Sequence, residues 1–231
     1  MTTQSKFRLA LFTLSLAAFS LAAFQIQSAE KDAEGAGVPP KASVSKPAPK
    51  VARVGQPAPD FELVDQFGKA HTLSQYEGKV VVLEWINPNC PFVKRHYQAG
   101  TMVNLQEKFG KSGKNVVWLR INSTHISHPD YYDAKATQAW AKKNKVEGAV
   151  LDDSRGTVGH LFDAKTTPHM FIVNAKGVLV YSGAIDNDPR GSKAADKTEN
   201  YVDAILTGWK KADKIKPFAN DSYGCNVKYK K

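Results

Sequence analysis

From residue 54 onward, short apolar runs alternate with stretches of helical periodicity. Lys79 to Ile86 contains Val80-Val81-Val82-Leu83, a β-branched run that predicts a buried strand. Pro91 to Phe109 predicts a helix ended by Gly110, and residues 115–122 predict a second buried strand around Val116-Val117-Trp118-Leu119. Pro129 to Lys145 carries Tyr132, Ala136, Ala139 and Trp140 at helical spacings, with Pro129 suited to the first position. Val150-Leu151 predicts a short strand and Thr157 to Phe162 a short helix. Two further strands, 170–173 and 178–182, flank a hairpin turn at Ala175-Lys176-Gly177. A last helix spans 199–212, and an irregular tail follows. Ahead of all these, Asp65-Gln66-Phe67-Gly68-Lys69 is a turn signal between two short strand-like pieces. The expected fold is α/β: a central mixed sheet flanked by helices, with an N-terminal β-hairpin extension.

The first 52 residues follow none of these periods. Lys6 and Arg8 precede an apolar run from Leu9 to Phe24, and small polar residues follow. That is the layout of a secretory signal, ending near Ala29, although Gln27 stands where a small residue is preferred. Residues 1–29 are therefore read as a signal peptide, and an uncut membrane anchor is the alternative. Residues 30–52 are rich in Ala, Pro, Lys and Ser, as in Lys46-Pro47-Ala48-Pro49-Lys50, and read as an extended tether. Residues 53–231 form the folded domain. The expected location is exported, periplasmic or extracellular.

Charge adds little. The chain has 32 basic and 22 acidic residues, a formal +10, and loss of residues 1–29 leaves +8. The positive charge is spread along the chain, without a nucleic-acid motif, and reads as a solvated basic surface. Trp85, Phe92, Trp118 and Trp140 read as core, and Asp152-Asp153 as a solvated turn. Asp186 and Asp188 read as a surface loop.

Two cysteines occur, Cys90 and Cys225. Cys90 lies between an apolar strand and Pro91, so it is the expected N-cap of the helix. Helix N-termini favour the thiolate, the nucleophilic form of cysteine. The alternative is a buried, inert thiol. An even pair of cysteines in an exported chain also suggests that the two bond to each other, permanently or during turnover.

Four stretches resemble the thioredoxin-like superfamily, and within it the alkyl hydroperoxide reductase/thiol-specific antioxidant (AhpC/TSA) redoxins. They are Gly55-Gln56-Pro57-Ala58-Pro59-Asp60-Phe61, the Cys90 segment through Tyr97, Thr166-Thr167-Pro168-His169-Met170-Phe171, and Gly224-Cys225-Asn226-Val227-Lys228-Tyr229. The resemblance implies that Cys90 is the attacking thiol and Glu84 a buried carboxylate that moves protons for the thiols. It implies that Thr167-Pro168 is a cis-proline loop against the active cysteine that binds extended substrate. The chain also departs from its relatives. Val93 stands where a thioredoxin has its second cysteine. Asn87 and Leu83 stand where a typical peroxiredoxin has Thr or Ser and Pro. The region of Thr166-Thr167-Pro168 lacks the peroxidase arginine, leaving Arg95 and Arg120 as substitutes.

Three readings follow. In the first, Cys90 attacks a protein or small-molecule disulfide, or as second choice a peroxide, and Cys225 resolves the intermediate. A thiol donor then returns the electrons, and no cofactor is needed. In the second, a permanent Cys90–Cys225 disulfide pins the tail, worth roughly 4–5 kcal/mol in the chain-entropy model. In the third, Cys90, His96 and His169 bind a soft metal. Cys90 and His96 are six apart, off one helical face, which weighs against it.

Overall fold

A computed structural model describes residues 51–110, 115–212 and 216–231. The signal peptide expected at 1–29 and nearly all of the tether expected at 30–52 lie outside the described residues. Where description begins, the Ala52 N–H already donates to the Leu161 carbonyl at 2.7 Å.

The sheet is built around β3 (Val80–Trp85), whose six residues are all buried. β4 (Val116–Asn122) lies parallel to it on one side. β7 (His169–Val173) lies antiparallel on the other. β5 (Val150–Asp152) extends the sheet parallel to β4, and β8 (Leu179–Gly183) forms the predicted hairpin with β7. The predicted N-terminal hairpin is β1 (Glu62–Asp65) and β2 (Ala70–Thr72). Asp65 makes its turn, accepting the N–H groups of Phe67 and Lys69 through Oδ1. β1 pairs with β5, so the hairpin continues the central sheet at one edge.

Alternation along β3 divides the core. Val80, Val82 and Ile86 face a cluster with Cys90, Val93, Tyr97, Trp118 and Trp140. Val81, Leu83 and Trp85 face the opposite cluster with Phe61, Val158, Phe162 and Phe171. The first face carries α1 (Pro91–Gln98), α2 (Thr101–Leu105), α3 (Ala134–Lys143) and α5 (Tyr201–Ala212). The second carries α4 (Thr157–Leu161).

Three sequence expectations need correction. The helix expected over 91–109 breaks at Gly100, which takes a left-handed φ of 75° between α1 and α2, and a π-helical turn, Gln106–Gly110, follows α2. Helical periodicity continues through the break, so the pattern hides it. The helix expected from Pro129 begins at Ala134, because Asp133 caps it by accepting the Ala136 N–H at 2.7 Å. The tail is not irregular. β9 (Phe218–Ala219) pairs parallel with β8, and β10 (Cys225–Asn226) pairs antiparallel with β6 (Thr166–Thr167).

Candidate active site

Cys90 is held by a turn that locks itself. The Asn87 side chain accepts the Asn89 N–H at 2.7 Å and donates to Thr124 Oγ1 at 2.9 Å. The Cys90 N–H donates to the Asn87 carbonyl at 3.0 Å. Cys90 is the extended N-cap of α1 and Pro91 its first helical residue, as expected. Cys90 is only 3% exposed, and its sulfur is buried in the core cluster. It lies 2.9 Å from the Thr167 carbonyl oxygen and 3.0 Å from Cys225 Sγ. Both cysteines are free thiols. A disulfide needs about 2.05 Å between sulfurs, so closing one takes a shift of only about 1 Å.

Cys225 arrives by strand pairing, directly opposite Thr167. Gly224 makes this possible. Its φ is 139°, and a Cβ there would lie 2.1 Å from the Thr167 carbonyl oxygen. Contacts on both sides pin the segment. The Tyr223 hydroxyl donates to Asp186 and lies 3.0 Å from His96 Nε2, and its ring packs on Phe92 and beneath the Arg95 guanidinium. Beyond Cys225, the Val227 N–H donates to the Lys165 carbonyl and the Lys228 carbonyl accepts the His125 N–H. Tyr229 then stacks on His160 with ring centroids 4.1 Å apart.

The two thiols differ electrostatically. Burial pushes the Cys90 thiol up, but hydrogen bonds to its sulfur outweigh burial and lower its pKa overall. These come from the Cys225 thiol, from Thr167 and from the backbone N–H groups of Val93 and Cys225. Cys225 is pushed up to about 11, by burial and then by its hydrogen bond to Cys90 and the negative charge there. The contact between the Cys90 sulfur and the Thr167 carbonyl suits the protonated thiol, since a thiolate has no proton to donate to that oxygen. The lowered pKa rests on the donors around the sulfur.

Glu84 is fully buried, on the same side of β3 as Cys90's cluster. It accepts from Tyr97 Oη at 3.0 Å and Trp118 Nε1 at 2.7 Å, and Arg120 Nε lies 3.5 Å away. Neither cysteine sulfur is among its hydrogen-bond partners. Burial pushes its carboxyl up, against the pull of the Arg120 guanidinium and the two donors. Arg120 also donates to Tyr97, Gln106 and the Glu147 carbonyl. Arg95 donates to the carbonyls of Asp188 and Pro189. The hydrogen bonds of both arginines lead away from the Cys90 sulfur.

Thr167 is buried and joined to Pro168 by a cis peptide bond, beside the sulfur. The structure thus gathers Cys90, Cys225, Thr167 and Pro168, and leaves Glu84 in a separate buried network. His96 and His169 are buried and engaged apart from each other, His169 with the Lys165 N–H and Ser182. Burial pushes both imidazoles down to about 4. Among the described residues no cluster of three or more metal-binding side chains occurs.

Two surface expectations are corrected. Asp153 is buried, accepting from Ser123 and from the Val158 and Gly159 N–H groups at the start of α4. Asp186 and Asp188 are buried as well, because Asp186 holds Tyr223 and Asp188 folds the 188–193 turn onto its carboxylate. Sequence reasoning also missed Tyr223, Asn87 and Thr124 as supports. Only the turn-forming composition of Asn87-Pro88-Asn89 gave any signal for them.

Residues 54–182 match the AhpC/TSA family. The chain is 28% identical over 198 residues to Peroxiredoxin-2 of Macaca fascicularis, covering 74% of this chain and 93% of that protein. It is 28% identical over 181 residues to chloroplastic Peroxiredoxin Q of Populus jackii, covering 73% and 76%. Its fold is similar to that of an uncharacterized conserved protein from Geobacillus kaustophilus, with a TM-score of 0.61 and 25% identity over 81% of this chain and 98% of the other. A hypothetical protein from Sinorhizobium meliloti 1021 also has a TM-score of 0.61, at 22% identity over 77% and 95%. The chain belongs to the AhpC/TSA family, a thiol oxidoreductase on a thioredoxin-like fold.

Proposed function

We propose that Cys90 and Cys225 form one intramolecular redox couple that reduces disulfides, with Cys90 as nucleophile and Cys225 as resolving thiol. The observation that carries this reading is the 3.0 Å separation of the two sulfurs. In the first step the Cys90 thiolate attacks one sulfur of the substrate disulfide. The substrate S–S bond breaks, a mixed disulfide forms on Cys90, and the departing thiolate takes a proton. In the second step Cys225 loses its proton and attacks the Cys90 sulfur, releasing the second substrate thiol and leaving a Cys90–Cys225 disulfide. Two electrons and two protons pass to the substrate, and an external dithiol restores the pair.

The order follows from the electrostatics. Cys90 is the thiol lowered by its surroundings. Cys225 is held up partly by the charge on Cys90, and that cause disappears once Cys90 enters a mixed disulfide. Thr167-Pro168 would bind the extended substrate beside the sulfur. Glu84 acts on this reading as a supporting core charge, since its partners are Tyr97, Trp118 and Arg120. The basic and apolar N-terminal residues support action outside the cytoplasm.

Similarity to two proteins named peroxiredoxin favours peroxide as the second oxidant. Cys90 would then become a sulfenic acid as the peroxide O–O bond breaks. Cys225 would displace water from it, giving the same disulfide. Mass spectrometry after one equivalent of either oxidant tests both readings. Wild-type protein is expected to form the internal disulfide, Cys225→Ser to accumulate the mixed disulfide with a disulfide substrate and the Cys90 sulfenic acid with peroxide, and Cys90→Ser to form none of these. Undiminished multiple turnover in Cys225→Ser overturns the resolving role. A disulfide that resists reduction in glutathione buffer would make the bond structural.

A further inference from the structure

We infer that a groove between α1, α2 and α3 seats an acidic, extended polypeptide segment flanking the disulfide that Cys90 reduces. The inference rests on the proposed function and adds its substrate class. The groove has a volume of about 960 Å³ and begins at Pro88 and Asn89, the two residues that lead into Cys90. That volume is at the upper end for ligand pockets, roughly 300–1,000 Å³, and holds several residues of a peptide.

Charge names the occupant. Lys94, Lys143 and Lys145 line the groove, against Glu107 as its one acid. None of the three lysines has a carboxylate within ion-pair distance among the described residues, whereas Lys108 and Lys165 on other surfaces do. Lys94 lies four residues after Cys90, and its N–H donates to the Cys90 carbonyl. The Lys94 backbone is therefore about one helical turn, roughly 5.4 Å of rise, from that of the nucleophile. The remaining lining suits a peptide. Asn104 presents an exposed amide that can pair with main-chain groups, while the Asn89 amide is held by Asp130 and Tyr132 and shapes the end of the groove. Trp140 lines the groove and packs edge-on against Tyr97 at 5.0 Å. It offers an apolar surface and an indole N–H with no hydrogen-bond partner among the described residues.

The test uses the full chain and a fluorescein-labelled, cysteine-free peptide of alternating glutamate, leucine and glycine, read by anisotropy. A counterpart with lysine replacing glutamate is the control. The acidic peptide is expected to bind at least tenfold tighter, and added salt to shrink that preference. The double variant Lys143→Glu, Lys145→Glu should weaken acidic binding about tenfold, and Lys143→Gln, Lys145→Gln by less. Joined to a disulfide-closed ring, the acidic tail should lower KM relative to the basic tail. Equal affinity for the two peptides, or acidic binding unchanged in both variants, overturns the inference. Failure of the wild-type protein to form a Cys90–Cys225 disulfide with any disulfide is a separate result that overturns the oxidoreductase reading.

Discussion

The two cysteines reach the same point by opposite routes. Cys90 is placed by the core: a fully buried strand, a self-bonded turn and Pro91 put its sulfur at the start of α1. Cys225 is placed by a two-residue strand and by side chains on either side of it. The strand of the first is buried throughout, while β10 is only partly buried. The contrast matches the proposed division of labour. The nucleophile needs a fixed pocket, and the resolving thiol needs a position that forms reliably yet opens at low free-energy cost.

The sharpest way to break this pairing is at Gly224. Gly224→Ala sets a Cβ against the Thr167 carbonyl and should push Cys225 off its register. Internal disulfide formation should slow about 100-fold, read by quenched-flow alkylation, while Cys90 still forms mixed disulfides. An unchanged rate would mean that β10 is not what positions Cys225.

The core route is broken beneath Tyr97. Glu84→Gln leaves Arg120 as a buried charge without its partner and should destabilise the fold by about 3–5 kcal/mol in denaturant titrations. If Glu84 only supports the core, the pH dependence of Cys90 alkylation stays as in wild type. A shifted profile would instead make Glu84 a proton-moving group.

Acid separates the two regions further. His96 holds the Tyr223 side of the tail and His169 follows the cis-proline, and both imidazoles are depressed to about 4 in the fold. The unfolded chain takes up these protons near pH 6.5, so their contribution is complete above that pH and declines as pH falls toward 4. Each should remove about 3 kcal/mol of stability across that window. Replacing either by Asn should flatten the slope by about half, measured as midpoint against pH.

The smallest effect concerns the thiols. Cys225→Ala removes the largest donor to the Cys90 sulfur and should raise the Cys90 pKa, read from thiolate ultraviolet absorbance. An unchanged value would assign the lowering to Thr167 and the backbone N–H groups.

Legibility in the sequence follows range. The β3–α1 junction was readable because a β-branched run and a proline at the first helical position both act within about a dozen residues. The central strands were readable for the same reason, and Asp65 and Gly68 marked the first hairpin. Asp133 as the true start of α3 was missed because Pro129 offered a competing start signal. The break at Gly100 was missed because apolar spacing runs through it.

The sequence by itself settled that Cys90 begins a helix after a buried strand, that Val93 denies it a neighbouring partner, and that Cys225 is the one other thiol. Only the tertiary structure decided that Cys225 lies 3.0 Å away, that Glu84 pairs with Arg120, and that Asp186 is buried to hold Tyr223. The physical reason is separation along the chain. Cys90 and Cys225 are 135 residues apart, and a two-residue strand has no periodicity to announce its partner. That pairing is stabilised by contacts which exist only once the sheet, α1 and the tail have come together.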